Sequence, residues 1–207
     1  MKQTLEFLRK LEYNNNREWF KDHQEMYLTA KAAMLDFSET LLGRMLAFAP
    51  EMQGLQAKEC MFRIFRDIRF SRNKLPYKTN MGAYFAKGGR KSHFAGYYIH
   101  IQPGASFVAG GLWMPEPAIL HQVRQEIYFR PDAFLGILKG KKFAALFKEV
   151  EGERLKYVPK AYDSQHPAAE WLKLKSFIVS YSFTDAELVQ ADFTSKVFCF
   201  FSHRLNI

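Results

Sequence analysis

The chain has 207 residues, enough to bury a sizeable core, and 48% hydrophobic content with 25% charge excludes a disordered polymer. A formal charge of +9 directs attention to anionic partners such as nucleic acid, phosphorylated metabolites or acidic surfaces. Two cysteines, Cys60 and Cys199, give neither a disulfide framework nor metal-ligand spacing, and their apolar neighbours predict buried free thiols. In chain order, Leu5, Leu8 and Leu11 fall three apart and predict a short helix over residues 4–13. Asn14-Asn15-Asn16 then ends it and offers a cap for the next. A 3.6-residue rhythm from Trp19 through Met34, Leu41 and Phe48 predicts one long helix running to Pro50, with a mild weak point at Gly43.

The period then changes. In residues 62–70, Phe62, Ile64, Ile68 and Phe70 share one parity, while Arg63, Phe65, Asp67 and Arg69 share the other. Period two over nine residues predicts a strand with one face in the core, and Arg66 breaks the rule by falling on the apolar parity. Residues 71–80 form a loop fixed by Pro76, residues 81–86 resume as a strand, and Lys87-Gly88-Gly89-Arg90-Lys91 is a basic turn. Residues 95–102 and 106–113, joined by Pro103-Gly104, predict a hairpin. The sum is at least four sequential strands in an antiparallel meander from about 61 to 113. Helices follow over 115–128, 131–138 and 141–147, an edge strand over 154–159, a helix from His166-Pro167 to Leu174, and a strand over 176–183. Thr184-Asp185-Ala186-Glu187 has the cap-and-acid pattern of a helix start, and a last helix covers 193–205. The class is α+β: a mainly antiparallel sheet packed against a long N-terminal helix and C-terminal helices, in one domain spanning 1–207. Its helical segment is 1–50, its sheet core 61–113, and 115–207 adds helices with one or two further strands. Charged residues interrupt the N-terminus and no apolar run reaches membrane-spanning length, so a cytoplasmic protein without a membrane partner is expected.

Several runs are long enough to compare with known proteins: R-D-I-R-F-S-R-N-K-x-P-Y-K-T-N-M-G-A-Y-F from Arg66, G-G-R-K-S from Gly88, and A-G-Y-Y-I-H-I-Q-P-G-x-S-F-V-A-G-G-L-W-M-P from Ala95. With N-x-x-E-W-F around Glu18, Trp19 and Phe20, R-Q-E-I at Arg124 and H-P-A-A-E-W-L-K-L-K-S-F at His166, the sequence closely resembles the family catalogued as domain of unknown function 2461. The resemblance covers nearly the whole chain and implies one α+β domain of a kind found in bacteria and fungi, with no established activity to carry over. Such proteins often continue their last helix through an L-N-x-F-L-like ending, so stopping at Leu205-Asn206-Ile207 implies a shortened final turn.

Chemistry concentrates in the middle of the chain. Between Lys58 and Phe94 lie ten Lys or Arg against two acids, Glu59 and Asp67, a local excess of +8. Arg63, Arg66 and Arg69, with Lys78, Thr79 and Asn80 from the loop, are candidates to hold an anion, because guanidinium forks grip phosphate or carboxylate bidentately. Tyr77 and Tyr98 are candidate walls, with Tyr98, His100 and Gln102 on the polar parity of their strand. The competing expectation pairs Asp67 with one arginine and leaves the others in solvent. His100 and Asp67 are candidate catalytic groups, although a lone strand histidine is more often only hydrogen-bonded. Gly88-Gly89-Arg90-Lys91 lacks phosphate-loop spacing and reads as a strand-joining turn, and Gly110-Gly111 marks a bulge or a close approach. No metal spacing, G-x-S-x-G elbow or cofactor motif is present, so neither metal nor cofactor is expected. The leading expectation is a pocket for a phosphorylated or carboxylated small molecule. The alternatives are a single-stranded nucleic-acid module, stacking bases on Tyr77, Tyr84, Tyr97, Tyr98, Phe107 and Trp113, and an interaction domain docking an acidic protein.

Overall fold

A computed structural model describes residues 1–147 and 149–202. Its sheet has four strands, β1 (Met81–Phe85), β2 (Gly96–Ile101), β3 (Ser106–Leu112) and β4 (Phe177–Phe183), in the order β1-β2-β3-β4. The class is α+β with an antiparallel sheet; β1 pairs β2 with Met81 opposite Ile101 and Tyr84 opposite Tyr98. Three of these strands lie within the span of the expected meander, residues 61–113, and the fourth comes from far along the chain. The chain divides into two compact units. The first holds Met1–Ser92, Tyr97–Val108 and the residues from Ser182, and the second holds His93–Gly96 and Ala109–Tyr181.

In the first unit α1 (Lys2–Tyr13) buries Leu5, Phe7, Leu8 and Leu11, as their spacing requires. The asparagine run does three separate jobs. Asn14 donates to Lys10 O at the end of α1, Asn16 accepts from Trp19 N to start α2 (Arg17–Asp22), and Asn15 reaches across to Tyr77. The expected single long helix is two, because the backbone leaves helical geometry at His23, whose ring stacks on Trp19 at 4.1 Å. The second part, α3 (Gln24–Met45), buries Ala30, Met34, Phe37, Leu41 and Met45 and stops five residues short of Pro50. It contacts α1, the short α4 (Ala57–Cys60), β1 and the C-terminal α10 (Phe193–Ser202), whose Phe193 stacks on Phe37 at 5.4 Å. The core face of β1 and β2 carries Met81, Ala83, Phe85, Ile99 and Ile101, all buried. Thr184 and Glu187 form the expected capping box at α9 (Asp185–Leu188). Cys60 is buried as expected, while Cys199 is exposed on α10. The predicted end of the last helix, residues 203–205, lies outside the described residues.

The strand predicted over 62–70 does not form. Its backbone bonds to the returning chain only at intervals, through Phe62 N to Gly82 O, Lys78 N to Ile64 O and Arg66 N to Pro76 O. Single bridges at Met61–Ala83 and Phe65–Tyr77 are what remain of a ladder. Proline 76 has no N–H to return, and the Asp67 carboxylate takes Arg69 N at 3.3 Å in place of a strand partner. The apolar parity therefore fails as a burial guide: Ile64 is buried, but Phe62 and Phe70 on the same parity are exposed.

The second unit contains α5 (Pro117–Phe129), α6 (Pro131–Lys139), α7 (Lys141–Leu146) and α8 (Ala169–Leu172), close to the predicted spans except at α8. There the His166 ring accepts Ala168 N at 3.1 Å and delays the helix start. The predicted edge strand over 154–159 reduces to isolated bridges at Glu151–Ile178 and Arg154–Leu174. The close approach expected at Gly110-Gly111 is a backbone contact within the sheet. A Cβ added to Gly111, whose φ is +128°, would sit 2.0 Å from Phe177 O. Gly111→Ala therefore should destabilise the protein by more than about 3 kcal/mol, from strain plus overpacking, measured as a fall in the urea midpoint. A loss within 0.5 kcal/mol, about the noise of a surface change, contradicts that geometry.

Candidate anion site in the first unit

The loose ribbon of residues 61–81 and the polar face of β2 bring one group of side chains together, with Phe62 at its centre. The Lys78 ammonium lies 5.5 Å from the centroid of the Phe62 ring and the Arg90 guanidinium 6.0 Å from it. The ring meets Tyr98 edge-on at 6.0 Å. The basic turn after β1 delivers Arg90, which also donates to Met61 O. Arg63 and Arg66 lie within electrostatic reach of Lys78. Burial pushes the Lys78 pKa down, and the charges of Arg63, Arg66 and Arg90 push it further in the same direction.

Among the described residues none of these four cations forms an ion pair. Asp67 is the sole acid between Glu59 and Glu116, and Arg69 claims it. Arg69 Nε and Nη2 bind its two oxygens at 3.0 and 2.6 Å, and this fork holds the carboxyl down at about 2. Arg69 therefore behaves as the competing expectation had it, while Arg63, which is exposed, and Arg66 act on Lys78 only through their charge. Tyr77, expected at the wall, is 5% exposed and stacks on Phe20 at 4.0 Å. Thr79 and Asn80 are half-buried beside Lys78 and make no side-chain hydrogen bond among the described residues.

On β2, Tyr98 Oη lies 2.9 Å from His100 Nδ1, and His100 Nε2 lies 2.9 Å from Gln102 Oε1. The amide oxygen of Gln102 accepts only, which puts the imidazole proton on Nε2 and lets the Tyr98 hydroxyl donate to Nδ1. Phe107 of β3 stacks on the imidazole at 4.8 Å. Burial lowers the His100 pKa, and it pushes the Tyr98 hydroxyl up to about 12. With both ring nitrogens engaged, His100 orients Tyr98 and Gln102. Gly82 opposite His100 is what lets the Tyr98 ring lie down over β1, since a Cβ there would come within 2.8 Å of its hydroxyl.

Phe62, Arg90 and Gln102 were not among the expected site residues, and Phe107 was expected only as a base-stacking ring of the nucleic-acid alternative. The G-G-R-K run signalled Arg90; alternation gave the wrong side for Phe62. Among the described residues no three His, Cys, Asp or Glu side chains gather in a metal-binding group, and no helix is long and apolar enough to cross a membrane.

Because the folded His100 resists a proton that the unfolded chain accepts near pH 6.5, the unfolded state binds more protons below that pH. Its contribution to stability is thus present above pH 6.5 and lost as pH falls from there toward the depressed folded value. The stability difference between wild type and His100→Gln, from urea unfolding, should be larger at pH 7.5 than at pH 5.5. A difference independent of pH removes the desolvated imidazole from the description.

No curated protein and no solved structure matches the chain. The family described as "Conserved hypothetical protein (DUF2461)" matches residues 3–204, a span that takes in the ribbon, the sheet and both compact units. The chain belongs to that family.

Proposed function

We propose that the first unit binds a phosphorylated or carboxylated small molecule, with its anionic end among Lys78, Arg63, Arg66 and Arg90. The observation that carries this reading is the half-buried Lys78 ammonium among three guanidinium groups with no carboxylate for it among the described residues. Like charges held together destabilise a fold, and an anion relieves both the repulsion and the lost hydration. Three guanidinium forks favour an oxyanion that accepts several bonds at once, a phosphoryl group above a halide. Phe62 and Tyr98 supply an apolar flank for the rest of the ligand, and the Tyr98 hydroxyl and Gln102 amide add polar selection.

The test is thermal denaturation with a panel of sugar phosphates, nucleotides and carboxylic acids. A ligand at about 100 times its Kd adds about 2.7 kcal/mol, which raises Tm by several degrees. At least one phosphate ester should do so for wild type and not for a Lys78→Ala, Arg63→Ala double variant. If no compound stabilises wild type more than the variant, the reading fails.

One feature supports a second reading, a single-stranded nucleic-acid surface. A groove of about 640 Å³ is lined by Arg17, Arg72 and Lys74 over Ile68, Leu75 and Pro76. Phe70 is 96% exposed, with the Arg69 guanidinium 6.0 Å from its ring, an arrangement suited to stacking a base beside a phosphate contact. Under this reading log K for an oligonucleotide falls with log salt, and Arg72→Ala with Lys74→Ala reduces the slope by about 1.4, close to 0.7 per lost phosphate contact. A flat response rejects it.

A further inference from the structure

The second unit carries an independent cluster built around Arg124. Along α5, His121, Arg124 and Tyr128 recur at three- and four-residue spacing and share one face of the helix. The irregular segment before α8 brings Tyr162 and His166 to that face. Tyr162 Oη lies 3.0 Å from His121 Nδ1, and its ring lies 5.3 Å from that of Tyr128. The His166 ring stacks on the other side of this group, 4.5 Å from Tyr128 and tilted by 28°. Accepting Ala168 N on Nδ1 puts the His166 proton on Nε2, where no partner meets it among the described residues.

Arg124 is the unexplained member. Nη2 donates to Leu174 O at 2.9 Å, Nε is buried with no acceptor, and Nη1 has none among the described residues. No carboxylate there pairs with the guanidinium. Burial lowers its pKa, and the nearby Tyr162 hydroxyl is the opposing influence. The Arg124 guanidinium lies within electrostatic reach of the Tyr162 phenol, on the α5 face that carries His121 and Tyr128. Every free polar atom of Arg124 and the free nitrogen of His166 are donors.

We propose that this cluster is a second binding site, for a carboxylate attached to an aromatic or apolar body. Arg124 supplies one fixed positive charge, which matches a singly charged carboxylate, in contrast to the Lys78 and Arg90 pair at Phe62, which suits a phosphoryl group. Arg124 Nη1 and His166 Nε2 donate to the carboxylate oxygens, Tyr162 with His121 completes the polar edge, and the Tyr128 ring flanks the ligand's body. The proposal does not depend on the site in the first unit.

The experiment titrates the full-length, ¹⁵N-labelled protein with benzoate and separately with inorganic phosphate, following the Arg124 Nε–H and imidazole resonances; Arg124→Lys assigns the former. Benzoate should move both sets with one Kd, and phosphate should move them less. Tyr162→Phe keeps its ring on Tyr128 and should weaken benzoate about tenfold, the worth of a hydrogen bond in a charged site, while Lys31→Ala, at an exposed position of α3, leaves it unchanged. Resonances unmoved by benzoate, equal affinity in Tyr162→Phe, or tighter binding of phosphate than benzoate at these residues would each overturn the proposal.

Discussion

Closure of the ribbon that carries Arg63, Arg66 and Lys78 against the core is the constraint on which the rest of the first unit turns. Three hydrogen bonds, from Phe62 N, Arg66 N and Lys78 N, close the ribbon that carries them. The Asn15 amide then pins its returning arm, donating to Tyr77 O at 3.0 Å and accepting from Tyr77 N at 3.1 Å. The buried stack of Tyr77 on Phe20 anchors that arm in the core. Phe62 gives two of the cations a π-face, which offsets part of their desolvation.

The Tyr98–His100–Gln102 chain on the polar face of β2 lies within electrostatic reach of Lys78. Burial lowers the His100 pKa, the Gln102 hydrogen bond opposes that shift and the Lys78 charge adds to it, while Gln102 fixes the tautomer. In the second unit Arg124 has no carboxylate partner among the described residues and shares its α5 face with Tyr128, whose ring meets those of Tyr162 and His166.

Much of this was legible in the residues. Helical spacing announced α1, α5 and α6, Thr184 and Glu187 announced their capping box, and Pro103-Gly104 announced the hairpin of β2 and β3. The polar parity of Tyr98, His100 and Gln102 follows from a regular strand and holds. The site was legible as a charge excess without its geometry. Alternation over 62–70 looked like a strand, but a strand needs a partner that returns its hydrogen bonds, and Pro76 does not. Arg69 and Arg63 share a parity and look equivalent; which one takes Asp67 depends on the turn at Asp67.

What the sequence by itself determined is composition and local order: where basic charge collects, that Asp67 is the sole acid between Glu59 and Glu116, which segments are helical and which residues cap them. These follow from spacing and short-range hydrogen bonding, which reach a few residues along the chain. Tertiary structure alone decided that Phe62 faces two cations, that Asn15 holds Tyr77, and that Tyr162 and His166 reach the Arg124 face of α5. Each such contact joins residues from 16 to 62 positions apart, as with Asn15 and Tyr77. Their energy depends on closing long loops against a buried core, and no local pattern encodes that.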